Sequence, residues 1–151
     1  MNETEIRAFT VDWYRKLDLH VDVAVLLPML ASSGLEFVLP EGPLTTRDAF
    51  AAWYAGGSVD GRSFPGVINI FFDEVHTVTS VGVSGPPERR LVSVVVNWQA
   101  RRWYPPAPRS QWIGFDAFQR WEMVPDTASG GPVIARYVVD ELRPMPGSPP
   151  L

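Results

Sequence analysis

Residues 92–100, VSVVVNWQA, give the clearest indication of the fold. β-Branched and aromatic residues dominate it and it contains no Gly or Pro, which is typical of a β-strand. Including this stretch, four runs rich in β-branched and aromatic residues are predicted as strands, at 67–83, 91–103, 111–124 and 133–142. Turn residues such as Gly85-Pro86-Pro87 separate them, which favours antiparallel connections. The second half of the chain therefore predicts a four-stranded meander, whose long first strand must bend or bulge to stay paired.

Helical patterns precede these strands. Ile6, Phe9 and Trp13 recur at helical spacing, and Thr4 is the expected N-cap of this first helix. A second helix is predicted from Asp22 to Leu30 and a third from Arg47 to Ala55, with a short strand at 35–39 between them. Helices gathered ahead of a meander predict an α+β fold, in which helices pack on one face of the sheet.

Length and composition narrow the possible classes of protein. The chain has 151 residues, of which 46% are hydrophobic and 20% charged, so one globular domain over residues 1–143 is expected. The Pro-rich tail, 144–151, is predicted to be disordered. The net charge of −4 argues against a nucleic-acid partner. No stretch approaches the roughly 20 apolar residues of a membrane span, and no signal peptide precedes the domain, so no membrane partner and a cytoplasmic location are expected.

Metal and cofactor sites lack support in this sequence. There are no cysteines, which excludes disulfides, thiolate metal ligands and Cys nucleophiles. The two histidines, His20 and His76, are too far apart in the sequence to indicate a metal site. The segment Gly56-Gly57-Ser58 lacks the Lys and the spacing of a phosphate-binding loop. We therefore expect neither a metal nor a cofactor.

Several segments resemble the nuclear transport factor 2-like superfamily, and within it the SnoaL-like group. They are 13–18 (WYRKLD), 35–37 (LEF), 47–54 (RDAFAAWY), 75–79 (VHTVT) and the four-strand finish. The resemblance covers residues 6–144. It implies a cone-shaped fold, in which a strongly curved, mixed but mostly antiparallel sheet packs on three N-terminal helices around a mostly apolar pocket. It also implies a homodimer through the outer face of the sheet.

The resemblance points to His76, Tyr14 and Asp18 as candidate catalytic residues. In dehydratases of this superfamily a strand histidine acts as general base, which implies this role for His76. Tyr14 and Asp18 are four residues apart on the first helix and so share one side of it. The resemblance implies that the phenol polarises a carbonyl while the carboxylate orients or protonates. The alternative is that His76 packs and hydrogen-bonds without any chemistry.

One part of the family pattern is missing from this chain. The related dehydratases complete a dyad with an Asp or His on the strand after the histidine, where this chain has the amides Asn97 and Gln99. Amides hydrogen-bond a ligand but do not titrate. Another acid would then have to pair with His76, with Asp116, Asp73 and Asp140 as the candidates. Strict alternation places His76 on one face with Phe72, Glu74 and Val78.

Aromatic and amide side chains supply the candidate ligand-binding set. Its members are Trp53, Asn97, Trp98, Gln99, Gln119, Trp121 and Tyr137. Two functions follow from these observations. The first is a cofactor-independent lyase, isomerase or cyclase that acts on a small apolar or polyketide-like molecule. The alternative is a non-catalytic module of the same fold that binds a small ligand or mediates dimeric interaction.

Overall fold

The structure is a computed structural model that describes all 151 residues. Its helices are α1 (Glu3–Asp18), α2 (Val23–Leu26), a 3₁₀ turn (Leu27–Met29), α3 (Arg47–Ala55) and α4 (Val67–Ile70). Its strands are β1 (Glu36–Leu39), β2 (Gly42–Leu44), β3 (Gly57–Val59), β4 (Arg62–Phe64), β5 (Phe71–Ser84), β6 (Arg90–Arg102), β7 (Gln111–Pro125) and β8 (Pro132–Pro144). None of the helices has the length and apolar character needed to cross a membrane.

Six strands form one sheet in the order β2-β1-β8-β7-β6-β5. Strands β5 to β8 pair antiparallel as a meander, whereas β1 joins β8 in parallel. The sheet is therefore mixed but mostly antiparallel, and the α+β cone predicted from the sequence is confirmed. A separate hairpin of β3 and β4, which the sequence analysis missed, follows α3.

The main core lies between α1, α3 and the sheet. Trp13 of α1 is fully buried, with its ring 6.4 Å from that of Phe37 on β1 and 5.9 Å from that of Phe50 on α3. Burying side chains of this size contributes several kcal/mol each, by about 25 cal/mol per Å² of apolar surface. This packing fixes the end of α1 against the sheet, where the candidate catalytic residues lie.

Two helices differ from the sequence predictions. The N-cap of α1 is Asn2 rather than Thr4, because the Asn2 side chain accepts from the backbone N–H of Glu5 while the Glu5 side chain accepts from that of Asn2. The second helix does not run to Leu30. It ends after one turn and continues as a 3₁₀ turn that contains Pro28, since proline cannot donate the backbone hydrogen bond of an α-helix.

The first long strand begins later than predicted. Residues 67–70, predicted as strand, form the short helix α4 after Gly66, whose φ is +93°. Strand β5 then carries register shifts between Phe72 and Val75 and between Val78 and Ser80, which confirms the expected bulging. Asp73, with φ +51°, lies in the first bulge. The bulge reverses the alternation, so Phe71 and not Phe72 faces the same side as Glu74 and His76.

The C-terminal residues contact the beginning of β7. The backbone N–H of Met145 donates to the carbonyl of Gly114 over 2.9 Å, and the hydroxyl of Ser148 accepts from the Gly114 N–H over 3.0 Å. Leu151 lines the cavity described below. Disorder of 144–151 in solution stays a prediction.

Candidate functional site

A large cavity lies between the helices and the concave face of the sheet. Its volume is about 1100 Å³, and 18 of its 29 lining residues are hydrophobic. Small-molecule sites are commonly concave, largely apolar and furnished with a few polar groups. Its largely buried polar side chains include Glu74, His76 and Gln119.

His76 is held by a carboxylate of α1. Its Nδ1 lies 2.5 Å from Asp18 Oδ1, and its backbone N–H donates to Asp18 Oδ2 over 3.0 Å. The imidazole is stacked between two aromatic rings, with centroid distances of 4.9 Å to Tyr14 and 5.9 Å to Trp98. Asp18 hydrogen-bonds Nδ1, and no protein group hydrogen-bonds the other ring nitrogen, Nε2. Nε2 is therefore free to bond to a ligand. This is the arrangement of an oriented base.

Tyr14 belongs to a buried polar cluster beside this pair. Its hydroxyl donates to Gln119 Oε1 over 2.7 Å and lies 3.3 Å from the hydroxyl of Tyr137. The indole N–H of Trp121 donates to the same Gln119 oxygen over 2.9 Å. Burial raises the pKa of Tyr14 well above that of a free phenol, and burial raises that of Tyr137 to about 12. Both phenols therefore stay protonated at neutral pH.

A second carboxylate–histidine pair lies nearby, and its carboxyl, Glu74, lines the same cavity. Glu74 Oε2 lies 2.6 Å from His20 Nε2, and the indole N–H of Trp98 donates to Glu74 Oε1 over 3.1 Å. Burial raises the pKa of Glu74 to about 7, and the neighbouring His76 partly opposes this rise. Burial also lowers the pKa of His20. Although the two groups are close enough for an ion pair, burial favours the neutral form of both, so we describe the pair as a carboxyl and an imidazole near neutral pH.

The structure brings the three predicted catalytic residues together, although only His76 lines the cavity. Asp18 and Tyr14 lie directly behind it, one bonded to its ring nitrogen and the other stacked on its ring. The phenol of Tyr14 is turned toward Gln119 and does not reach the cavity. It is therefore placed to position the imidazole rather than to touch a ligand.

The seven predicted ligand-binding residues divide into two groups. Four line the cavity, namely Trp53, Trp98, Gln119 and Tyr137. The other three do not line it, namely Asn97, Gln99 and Trp121. Asn97 instead donates to Asp116 Oδ1 on β7 over 2.9 Å and accepts from Gln99 over 3.0 Å. These amides thus bond to one another and to Asp116 away from the cavity.

The partner of His76 is one of the companions suggested on sequence, Asp18, and not one of the three further acids considered. None of Asp116, Asp73 and Asp140 bonds to His76, because Asp116 pairs with Asn97, Asp140 pairs with Arg120, and Asp73 lies in the bulge. Asp18 is the last residue of α1, which packs against β5. Sequence reasoning also missed the Glu74–His20 pair. The available signal was a carboxylate two residues before His76 on a strand, which places both side chains on one face.

No protein-family model and no curated protein matches this sequence. The solved structures that are similar to this fold include the following three. A protein from Novosphingobium aromaticivorans assigned as an aromatic ring hydroxylase has a TM-score of 0.73 and 13% identity, covering 94% of this chain and 92% of that one. A hexachlorocyclohexane dehydrochlorinase from Novosphingobium barchaimii has a TM-score of 0.69 and 14% identity, covering 97% and 94%. A nuclear transport factor 2-like superfamily protein from Salmonella enterica has a TM-score of 0.67 and 12% identity, covering 98% and 91%.

The structural alignments cover nearly the whole chain, and the names of these neighbours denote different kinds of protein. At such low identity the likeness establishes the fold, while the reaction has to be argued from the site. The chain therefore has the nuclear transport factor 2-like fold.

Proposed function

We propose that this protein is a cofactor-independent lyase, which removes a proton from carbon and so drives the elimination of a neighbouring leaving group. His76 is the general base, and its Nε2 takes the proton. Asp18 holds the imidazole through Nδ1 and stabilises the imidazolium that forms. Tyr14 positions the ring by stacking on it and is not a substrate contact.

The observation that carries this proposal is the His76–Asp18 pair at the wall of an apolar cavity. A carboxylate on one ring nitrogen fixes the tautomer and the orientation of the other. Such a base contributes typically 10²- to 10⁴-fold to a proton transfer, by a rough general estimate. The dehydrochlorinase among the structural neighbours bears a name that denotes an elimination, which is the same reaction class.

The cavity favours an uncharged, largely apolar substrate. Arg62 is the single lysine or arginine of its lining, which also carries the acidic side chains Glu41 and Glu74. The lining acids Asp140 and Glu141 are already paired with Arg120 and Arg143. A lining with so few cations does not favour an anionic ligand. The aromatic walls offered by Trp53 and Trp98 suit a flat or ring-shaped molecule.

Nitrobenzisoxazole tests this function without knowledge of the natural substrate. It is a flat, neutral bicycle, from which a base removes one C–H proton as the N–O bond breaks, and the released phenolate is coloured. We expect the protein to accelerate this elimination beyond free imidazole at equal concentration, and His76→Gln to lower the rate about 10²-fold or more. A His76→Gln variant as fast as the wild type, or a wild type no faster than imidazole, would contradict the proposal.

A binding module is the second candidate function, since the aromatic lining of the cavity needs no catalysis to hold a ligand. It predicts that nitrobenzisoxazole binds without turnover and quenches tryptophan fluorescence. Trp98→Phe should then weaken this binding, whereas Trp103→Phe, at a tryptophan outside the cavity, should not. Turnover that depends on His76 would decide in favour of the lyase.

We also propose a homodimer through the outer face of the sheet. Val75 and Leu91 are exposed there, by 55% and 46%. Outer-face ion pairs such as Arg120–Asp140 would then lie at or near the contact. Light scattering coupled to gel filtration should give twice the chain's mass of 16.8 kDa. A mass of one chain at micromolar concentration would remove this proposal.

A further inference from the structure

We propose that Glu74 is a second catalytic residue of the cavity, the general acid that protonates an oxygen leaving group while His76 removes the proton from carbon. This inference rests on the proposed lyase function and narrows its substrate class. Hydroxyl or alkoxyl leaving groups need a proton in order to depart, whereas halides do not. A cavity with such an acid therefore suits a substrate that loses water or an alcohol.

The position of Glu74 is the first support. It is the last residue of the first bulge of β5 and precedes His76 by two residues. Both side chains therefore project from one face of the strand, about 7 Å apart at their backbone. That separation leaves room for a substrate to contact both groups. Both residues line the same cavity, and the Glu74 side chain is only 4% exposed.

The surroundings of Glu74 are the second support. No lysine or arginine pairs with it; its two oxygens meet the Trp98 indole N–H and the His20 ring. Of the nearby titratable groups, His76 lowers the pKa of Glu74 and Asp18 raises it, while Glu74 in turn raises the pKa of the Tyr54 phenol. A carboxylate with so little compensation in an apolar cavity keeps its proton near neutral pH, in line with its raised pKa of about 7. It can therefore donate that proton.

His20 connects this acid to solvent. Its ring bonds to Glu74 at 2.6 Å and is 23% exposed, so it provides a path by which the carboxylate regains a proton. His20 follows the C-terminus of α1 with φ +49°, in the left-handed position where glycine is preferred. The helix end there is closed by bonds from His20 N–H to the Leu17 carbonyl and from Val21 N–H to the Lys16 carbonyl. A histidine held in this conformation is consistent with a use for its side chain.

The proposed step is balanced. The C–H proton moves to His76 Nε2, and the electron pair of that bond forms the new double bond. The adjacent C–O bond breaks, and its oxygen leaves with the bonding pair and takes the proton of Glu74. The products are an alkene and water or an alcohol, with His76 protonated and Glu74 ionised. His76 then loses its proton to solvent, while Glu74 regains one through His20.

Two probes that differ only in their leaving oxygen test the assignment. Nitrobenzisoxazole releases a weakly basic phenolate, whereas unsubstituted benzisoxazole releases a more basic one that gains from protonation. We expect Glu74→Gln to lower the rate about 10²-fold with the unsubstituted probe but less than about threefold with the nitro probe. We expect His76→Gln to lower both rates alike.

The outcomes separate this inference from the proposed function. Equal losses with both probes in Glu74→Gln, or no loss with either, would overturn the acid role while the base role of His76 stands. Unchanged rates in His76→Gln would overturn the lyase function itself, and the acid role with it. Carbon-13 NMR of labelled glutamate carboxyls, with Glu74→Gln assigning the signal, gives a readout besides activity. A midpoint near neutral pH is expected, and a midpoint in the ordinary range of about 4.3 would overturn the acid role.

Discussion

The Asp18–His76 hydrogen bond can be broken with almost no change in side-chain volume by Asp18→Asn. In the wild type, Asp18 accepts from the ring at 2.5 Å and from the backbone N–H of His76 at 3.0 Å. A charge-assisted hydrogen bond contributes about 1.5–3 kcal/mol. Because Asp18 is 24% exposed, we take about 2 kcal/mol from the middle of that range. At about 1.4 kcal/mol for each factor of ten, the rate should fall about 30-fold.

The assay is the elimination of nitrobenzisoxazole, with the loss expected in kcat because Asp18 does not touch the cavity. Asp12→Asn is the matched control, since Asp12 lies on the same helix and pairs with Lys16 and Arg15 at the surface. Its rate should stay within about twofold of the wild type, as for most surface substitutions. Urea unfolding of both variants checks that each is folded under assay conditions. If folded Asp18→Asn matches the wild-type rate, Asp18 does not prepare His76 for catalysis.

Three further changes test other parts of the account. Folding raises the pKa of Glu74 from the ordinary value of 4.5 to about 7. The stabilisation that comes with its protonated form is therefore fully present below about pH 4.5 and is lost as the pH rises through about 7. The free energy of unfolding of Glu74→Gln, measured in urea, should therefore rise relative to that of the wild type by up to about 3 kcal/mol between about pH 4 and pH 8. Glu88→Gln, at an exposed glutamate, is the control. The same difference between Glu74→Gln and wild type at both pH values would contradict this expectation. Gly66→Ala should lower the free energy of unfolding by about 3 kcal/mol or more, because the added Cβ would lie 2.5 Å from a backbone nitrogen. Gly130→Ala, also at positive φ but in open space, should lower it by only about 1–2 kcal/mol in the same assay. Similar losses in the two variants would argue against the close approach at Gly66. Tyr14→Phe should lower the free energy of unfolding by only about 1 kcal/mol in thermal unfolding, because Gln119 Oε1 still accepts from the Trp121 indole N–H. A loss above about 3 kcal/mol would show that the buried polar cluster depends on the Tyr14 hydroxyl.

The sequence predicts the fold well where side-chain patterns are long and regular. The helical spacing of Ile6 and Trp13 locates α1, and the uninterrupted run around Val94 locates β6. Short elements are missed, because three or four residues carry too little periodicity to distinguish a hairpin or a single helical turn from a loop. The helix α4 was predicted as strand for this reason, since its apolar residues suit either structure.

The candidate site was only partly predictable, and the bulge at Asp73 explains one failure. Alternation assigns a face to every residue of a strand, but one extra residue reverses the assignment for everything before it. Phe72 was accordingly placed beside Glu74, whereas Phe71 takes that position. Asp18 was recognised as a companion of His76, yet its direct bond depends on the distance between α1 and β5, which local sequence does not encode. Burial of Glu74 depends in the same way on packing from several elements.

The protonation of the two ring nitrogens of His76 decides whether this residue can act as the base. Nitrogen-15 NMR of labelled histidine distinguishes a protonated ring nitrogen from a bare one, and His76→Gln assigns the signals against those of His20. We expect that, in the neutral ring, Nδ1 carries the proton and donates to Asp18 while Nε2 is bare and able to accept a proton from carbon. A neutral ring protonated at Nε2 instead would contradict the assignment of His76 as the base.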